Sequence, residues 1–214
     1  MKESALNNKR IAKNTIFLYV RMLFIMAVQL YTSRVVLNTL GVVDYGLYNV
    51  VGGIVTLFAF LNGALVTSTQ RYLTYELGKG NLERLRIVFT TCVQIHVIIS
   101  LAIVLLSETI GLWFFYEKMI IPEDRFTAAF WVYQLSVITM VVQVMSIPYN
   151  SAIIAHEKMN AFAVISVIEA VLMLIIVYLL LIGNLDKLIL YGVLVALVKL
   201  LSRLLYGNYC NHRP

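Results

Sequence analysis

The sequence predicts an all-α integral membrane protein, a bundle of about six transmembrane helices. Three observations predict it. First, 61% of the 214 residues are hydrophobic, only 13% are charged and the mean hydropathy is +0.86. A soluble domain carries about 25% charged residues. Second, the apolar residues gather into runs long enough to cross a bilayer, which takes about 20 residues. In hydrocarbon every backbone N–H and C=O must be satisfied within the segment, so such runs read as helices. Third, most Lys and Arg residues sit at the ends of these runs, as a membrane topology signal requires.

The elements follow in order. The first run is Thr15 to Leu40, and the second, Tyr45 to Val66, has no charge. Gly41 and Gly46 bracket the turn between them. Gly78 and Gly80 end the extension of the second helix. Asn81 then reads as an N-cap, with Glu83 in the first turn where the helix dipole favours an acid. The third run, Ile87 to Leu106, is also uncharged. Pro122, Glu123 and Asp124 start the fourth, Phe126 to Ile147, and Pro148 is expected to close it. The fifth, Ala161 to Ile182, holds one acid, Glu169. The sixth, Leu188 to Tyr206, contains Lys199 and Arg203. Residues 1–14 are expected as a cytoplasmic N-terminal segment, 15–206 as the bundle and 207–214 as a cytoplasmic tail.

Orientation follows from the basic residues. One side carries Lys2, Lys9, Arg10, Lys13, Arg71, Lys79, Arg84, Arg86, Lys158, Arg203 and Arg213, against Lys118, Arg125 and Lys187 on the other. This bias of eleven to three puts both termini in the cytoplasm and the chain in the cytoplasmic (inner) membrane. The first run is too long for a signal peptide, and no small-residue cleavage site follows it. The net charge of +6 is thus a topology signal rather than a nucleic-acid footprint. No basic patch is interleaved with exposed aromatics as a single-strand binder needs. Cys92 lies in an apolar run and Cys210 in the expected tail, so no disulfide joins them on this reading.

An ionisable group inside a span is costly and is by default a functional candidate. Arg21, Arg34, Glu169 and Lys199 qualify. At 1.5 Å per residue, Arg21 lies about 9 Å into the first span, Glu169 about 12 Å into the fifth and Lys199 about 10 Å from the inner end of the sixth. These three share one layer on the cytoplasmic side, while Arg34 sits near the outer end. Two readings stand. Arg21 and Arg34 can snorkel to an interface, and Glu169 and Lys199 can form a structural ion pair between adjacent helices. Alternatively, Arg21, Arg34 and Lys199 line a water-filled cavity for an anionic headgroup, with Glu169 setting its charge balance. Arg21 and Arg34 are 13 residues apart, about 140° from a shared helical face, so only a bent helix or long reach serves one cavity.

Weaker signals are mostly structural. His96 reads as a packed, satisfied histidine, and Gln29, Asn62, Gln94, Gln134 and Gln143 as interhelical hydrogen-bond glue. Gly52, Gly53 and Gly63 read as places of close helix approach. No metal-ligand spacing, phosphate loop or nucleophile motif is legible, so neither a cofactor nor an enzyme activity is indicated.

The stretch from Lys9 to Asn81 contains SRVVLNTLGVVDYGLYNVVGG and closes on QRYLTYELGKGN. It resembles the polysaccharide exporters of the multidrug/oligosaccharidyl-lipid/polysaccharide superfamily, closest to the O-antigen flippase branch. The LG…DYGLY segment, Leu40 to Tyr48, is its most distinctive part. The resemblance implies the N-terminal lobe of a multidrug-exporter/flippase-like fold. It further implies a protein that turns a polyprenyl-pyrophosphate-linked oligosaccharide from the inner to the outer leaflet by alternating access. Relatives have two bundles of six helices with a cationic cavity between them, lined by the first helix, which here carries Arg21 and Arg34. The chain departs from that pattern by ending after one bundle, at NYCNHRP. It is then expected to be a fragment, a truncated product (the favoured expectation) or a half that pairs with itself, with a second six-helix bundle missing. Antiparallel self-pairing is disfavoured by the basic bias. The alternatives are cation-coupled drug export, which needs cavity acids, and a non-transporting remnant.

Overall fold

The computed structural model describes the backbone of residues 2–182 and 186–212, and the side chains of residues 15–58, 60–181 and 186–211. Lys2, Lys9, Arg10, Lys13 and Arg213, which carry part of the orientation signal, lie outside the described side chains. Among the described residues the chain is helical and holds no strand. The helices are α1 (Lys2–Thr56), α2 (Phe60–Gly78), α3 (Leu82–Leu106), α4 (Leu112–Lys118), α5 (Phe126–Ala155), α6 (Met159–Ile182) and α7 (Lys187–His212). Short 3-10 turns, Leu57–Ala59 and Glu123–Arg125, precede α2 and α5. A π turn, Ser107–Gly111, fuses α3 to α4.

Among the described residues five segments, not the expected six, are long and apolar enough to cross a membrane: Thr15–Thr56, Leu82–Lys118, Glu123–Ala155, Met159–Leu181 and Lys187–Asn211. The difference lies in the second expected span. Residues 45–56 belong to α1 and residues 60–66 to α2, with the 3-10 turn between them. Gly46 is helical and breaks nothing. The break is at Gly41 alone, whose φ of 81° and ψ of 167° suit a residue without a Cβ.

The two arms of α1 pack on different partners. Before Gly41, Arg21 reaches Ser166 and Tyr31 reaches Tyr178, so this arm climbs α6 in parallel. After Gly41, Asp44 meets Arg125 at the start of α5, and the Tyr48 and Tyr191 rings lie 4.8 Å apart on α1 and α7. This arm therefore descends beside α5 and α7. Since Lys199 of α7 meets Glu169 of α6 midway along two consecutive helices, the two arms run in opposite directions.

One further expectation is corrected. Pro148 does not close its helix; it lies buried inside α5, which runs on to Ala155. In apolar surroundings the neighbouring helices tolerate one lost hydrogen bond more cheaply than an unwound, unsatisfied backbone. The expected tail is helical through His212, which places Cys210 inside α7 with its Sγ 3.7 Å from the Tyr149 carbonyl. Residues 2–14 likewise continue α1. Cys92 and Cys210 are both free. The Asn81 cap forms as its sequence predicts, its side chain accepting from the Arg84 N–H at 2.9 Å.

The core is centred on α5. Val132, Tyr133, Val137 and Val144 pack with Val51 of α1, Ile103 of α3, Phe115 of α4 and Leu188 of α7. A glycine makes this possible. The Tyr133 hydroxyl donates to the Ser107 carbonyl in the π turn at 2.7 Å and occupies the space where a Cβ on Gly111 would lie. A smaller cluster, Ile153, Ile165 and Tyr206, forms at the other end of the bundle.

Candidate functional site

The charged layer is built on one face of α6, where Phe162, Ser166 and Glu169 follow at helical spacing. Ser166 Oγ donates to its own helix at the Phe162 carbonyl, 2.8 Å away. It accepts from Arg21 Nη1 at 3.1 Å and lies 3.2 Å from the Tyr206 hydroxyl of α7. The Arg21 guanidinium also stacks on the Phe162 ring, 4.4 Å from its centroid, and its Nε is buried without a partner. One turn further along α6, Glu169 Oε1 accepts from Lys199 Nζ at 2.6 Å. The structure thus gathers Arg21, Glu169 and Lys199 between α1, α6 and α7, at the common depth that the sequence predicts. Arg34 is elsewhere. It is exposed, and among the described residues it makes no hydrogen bond or ion pair.

A cleft among the helices lies apart from these charges. It has a volume of about 210 Å³ and lies between residues 48–56 of α1, α5 and α7. None of Arg21, Arg34, Glu169 and Lys199 lines it. Its walls carry Asn49, Thr56, Ser136, Thr139 and Gln143, with Gly52, Gly53 and Gly192 giving it room. Each hydroxyl is turned back on its own helix: Thr56 donates to the Gly53 carbonyl, Ser136 to Val132 and Thr139 to Leu135, at 2.8, 2.8 and 2.7 Å. Asn49 Nδ2 donates to the Tyr45 carbonyl at 2.8 Å. What the hydroxyls leave unused are oxygen lone pairs, and the two amides keep both an oxygen and at least one N–H.

Sequence reasoning found Gln143, Gly52 and Gly53 and missed the other polar lining residues. The signal was present in α5, where Ser136, Thr139 and Gln143 recur at helical spacing on one face. The glycines behave otherwise than expected. A Cβ on Gly53 or Gly63 would meet nothing within 4 Å, so these are open places rather than close approaches. The close approaches are Gly111 and Gly192, the latter with a Cβ position 3.1 Å from Leu135 Cδ1.

At the end of the bundle where α5 and α7 begin, a three-charge clasp closes it. Arg125 pairs through Nε (2.7 Å) and Nη2 with the two oxygens of Asp44, and through Nη1 with Asp186 at 2.7 Å. It joins the turn after Gly41 to the starts of α5 and α7. Of the amides expected as glue, Gln134 bonds across helices, to Glu108 at 3.3 Å, whereas Gln29, Gln94 and Gln143 are exposed and Asn62 Oδ1 is buried without a partner. His96 is buried and half satisfied. Its Nδ1 lies 2.7 Å from the Cys92 carbonyl and so carries the proton, while Nε2 has no partner. Among the described residues no three His, Cys, Asp or Glu side chains are placed to hold a metal ion.

Comparison of the chain with protein-family models, curated proteins and solved structures finds no match. What this geometry defines among the described residues is an all-helical bundle with segments long and apolar enough to span a membrane, a cleft whose largely apolar walls carry a few polar side chains, and a charged layer apart from it.

Proposed function

We propose that this chain is one helical bundle of a transporter that moves a lipid-linked oligosaccharide to the outer leaflet of the cytoplasmic membrane. The observation that carries the reading is the cleft. A bundle with only a structural role packs its interior closely, and polar side chains around a void among apolar spans mark a ligand path. The resemblance of Leu40 to Tyr48 supplies the substrate class. Those residues hold the Gly41 break and Asp44 of the outer clasp.

The same reading accounts for the fold-back at Gly41. Residues 15–56 form a 42-residue segment, about 63 Å of helix against about 30 Å of hydrocarbon. The arm after Gly41, residues 42–56, is about 22 Å long and crosses only together with residues 57–66; the antiparallel arms then give two crossings, and the chain crosses six times with both ends on the basic, cytoplasmic side. Alternating access rocks one bundle against another, so the working unit includes a facing bundle, either a second segment or a second copy. Drug-cation export is the weaker alternative, because Glu169, the acid it calls on, is already neutralised by Lys199.

The test is the sidedness of the lipid-linked sugar. Cells without the chain are expected to accumulate it facing inward, where an impermeant glycosidase reaches it in inside-out vesicles and not in right-side-out ones. An unchanged distribution between the two vesicle types removes the reading.

A further inference from the structure

We infer that the cleft between α1, α5 and α7 holds the neutral, hydroxyl-rich part of the substrate and rejects its anionic group; this assignment rests on the flippase reading. The argument is a count of donors and acceptors. Thr56, Ser136 and Thr139 spend their only hydroxyl protons on carbonyls of their own helices. Asn49 spends an amide proton on Tyr45, which turns its Oδ1 outward as an acceptor. No Lys or Arg lines the walls.

The three hydroxyls therefore offer lone pairs, and the free protons left are uncharged: the second N–H of Asn49, the Gln143 amide and the Tyr48 hydroxyl. A phosphate oxygen is only an acceptor and finds no charged donor there. Burying it unpaired is costly. A sugar hydroxyl donates as well as accepts, and each one meets an oxygen. Gln143, exposed at the rim, adds one amide with both capacities. Tyr48 adds a ring against which the apolar face of a sugar can lie.

Size agrees with this chemistry. The volume of about 210 Å³ equals the share of about seven liquid waters at about 30 Å³ each. That is room for a sugar ring and far more than a bare monovalent cation needs. The anionic group is left to Arg34, which lies outside the cleft, exposed on the first arm of α1 and without an ion pair among the described residues.

The test uses the full chain in lipid nanodiscs and ligand-observed saturation-transfer NMR. The probes are a panel of neutral methyl glycosides, glucose 1-phosphate as the anionic counterpart, and sodium chloride exchanged for N-methylglucamine chloride. Saturation is expected for at least one glycoside, with at least fivefold less for the phosphate. The Gly53→Leu variant fills open space and should abolish the signal. Thr139→Val keeps volume and removes one acceptor, and should weaken binding about fivefold. A circular dichroism melt matching the parent shows that both variants fold.

Equal transfer to glucose 1-phosphate overturns the inference. So does an undiminished signal in both folded variants, no transfer to any glycoside, or a site that responds to sodium and to no sugar. Absent sugar binding in a chain that controls leaflet sidedness retires the cleft assignment and keeps the flippase reading. Sugar binding without any sidedness phenotype does the reverse.

Discussion

The two arms of α1 are similarly apolar and differently held. Along residues 15–35 the less exposed positions form one narrow stripe (Leu18, Arg21, Ile25, Val28, Thr32 and Val35), while Ile16, Tyr19, Val20, Met22, Leu23 and Leu30 are exposed; burial is complete only at Val36, close to the break. The spacing of three and four is that of a two-helix seam, and the seam faces α6. Along residues 42–56, Asp44, Leu47, Val51 and Val55 are fully buried, and this arm is part of the main core. In lipid an exposed apolar face costs nothing, so hydropathy is the same for a helix with a half-buried seam and a helix whose stripe is sunk in the main core. What separates the arms is polar chemistry at their contacts and the space left by glycine.

Four substitutions test that contrast. The largest expected effect is at the clasp that holds the second arm. Arg125→Ala strands the buried Asp44 and should cost about 3 kcal/mol, read as unfolding free energy in bicelles. A loss below about 1 kcal/mol would show that water screens the clasp as at a surface. Next, Gly111→Val drives a side chain into the Tyr133 hydroxyl and against Ile54 of the same arm. Overpacking of this kind costs about 1–3 kcal/mol, and an unaltered thermal midpoint would mean that Tyr133 has another place to go.

The third substitution concerns the join between the partners of the two arms. Glu169→Gln leaves Lys199 unpaired and should destabilise by about 2 kcal/mol, while the double variant with Lys199→Met should recover most of that. Additive losses in the cycle would deny the pair any coupling. The smallest effect belongs to the first arm. Tyr31→Phe removes one exposed hydrogen bond to Tyr178 and should cost about 0.6 kcal/mol or less. A loss above about 2 kcal/mol would make the seam on α6 as strong as the core and erase the contrast.

The sequence carries much of this because span length, end charges and caps are local properties. The Asn81 cap and the depth match between Glu169 and Lys199 follow from side-chain type and helical rise, and both appear in the structure. The fold-back at Gly41 is half legible. A glycine marks a permitted break, but Gly46 is equally permissive, and only the docking of each arm decides between them. Pro148 misleads because helix-breaking rules are written for helices that water can reach. The cleft is least legible. Ser136, Thr139 and Gln143 share a face of α5 by spacing alone, yet they line a void only because Gly52 and Gly192 arrive opposite from distant positions in the chain.

The π turn at Ser107–Gly111 has a consequence for register. Such a turn is an α-helix with one residue inserted, and each residue advances a helix by about 100°. Everything after it in α4 is rotated by that angle relative to α3. Phe115, fully buried among Phe126, Phe130 and Tyr133, points inward because of the inserted residue. A chain one residue shorter here would keep its composition, hydropathy and span length. Its Phe115 would swing by about 100° out of that cluster, and this end of the bundle would lose a fully buried aromatic anchor.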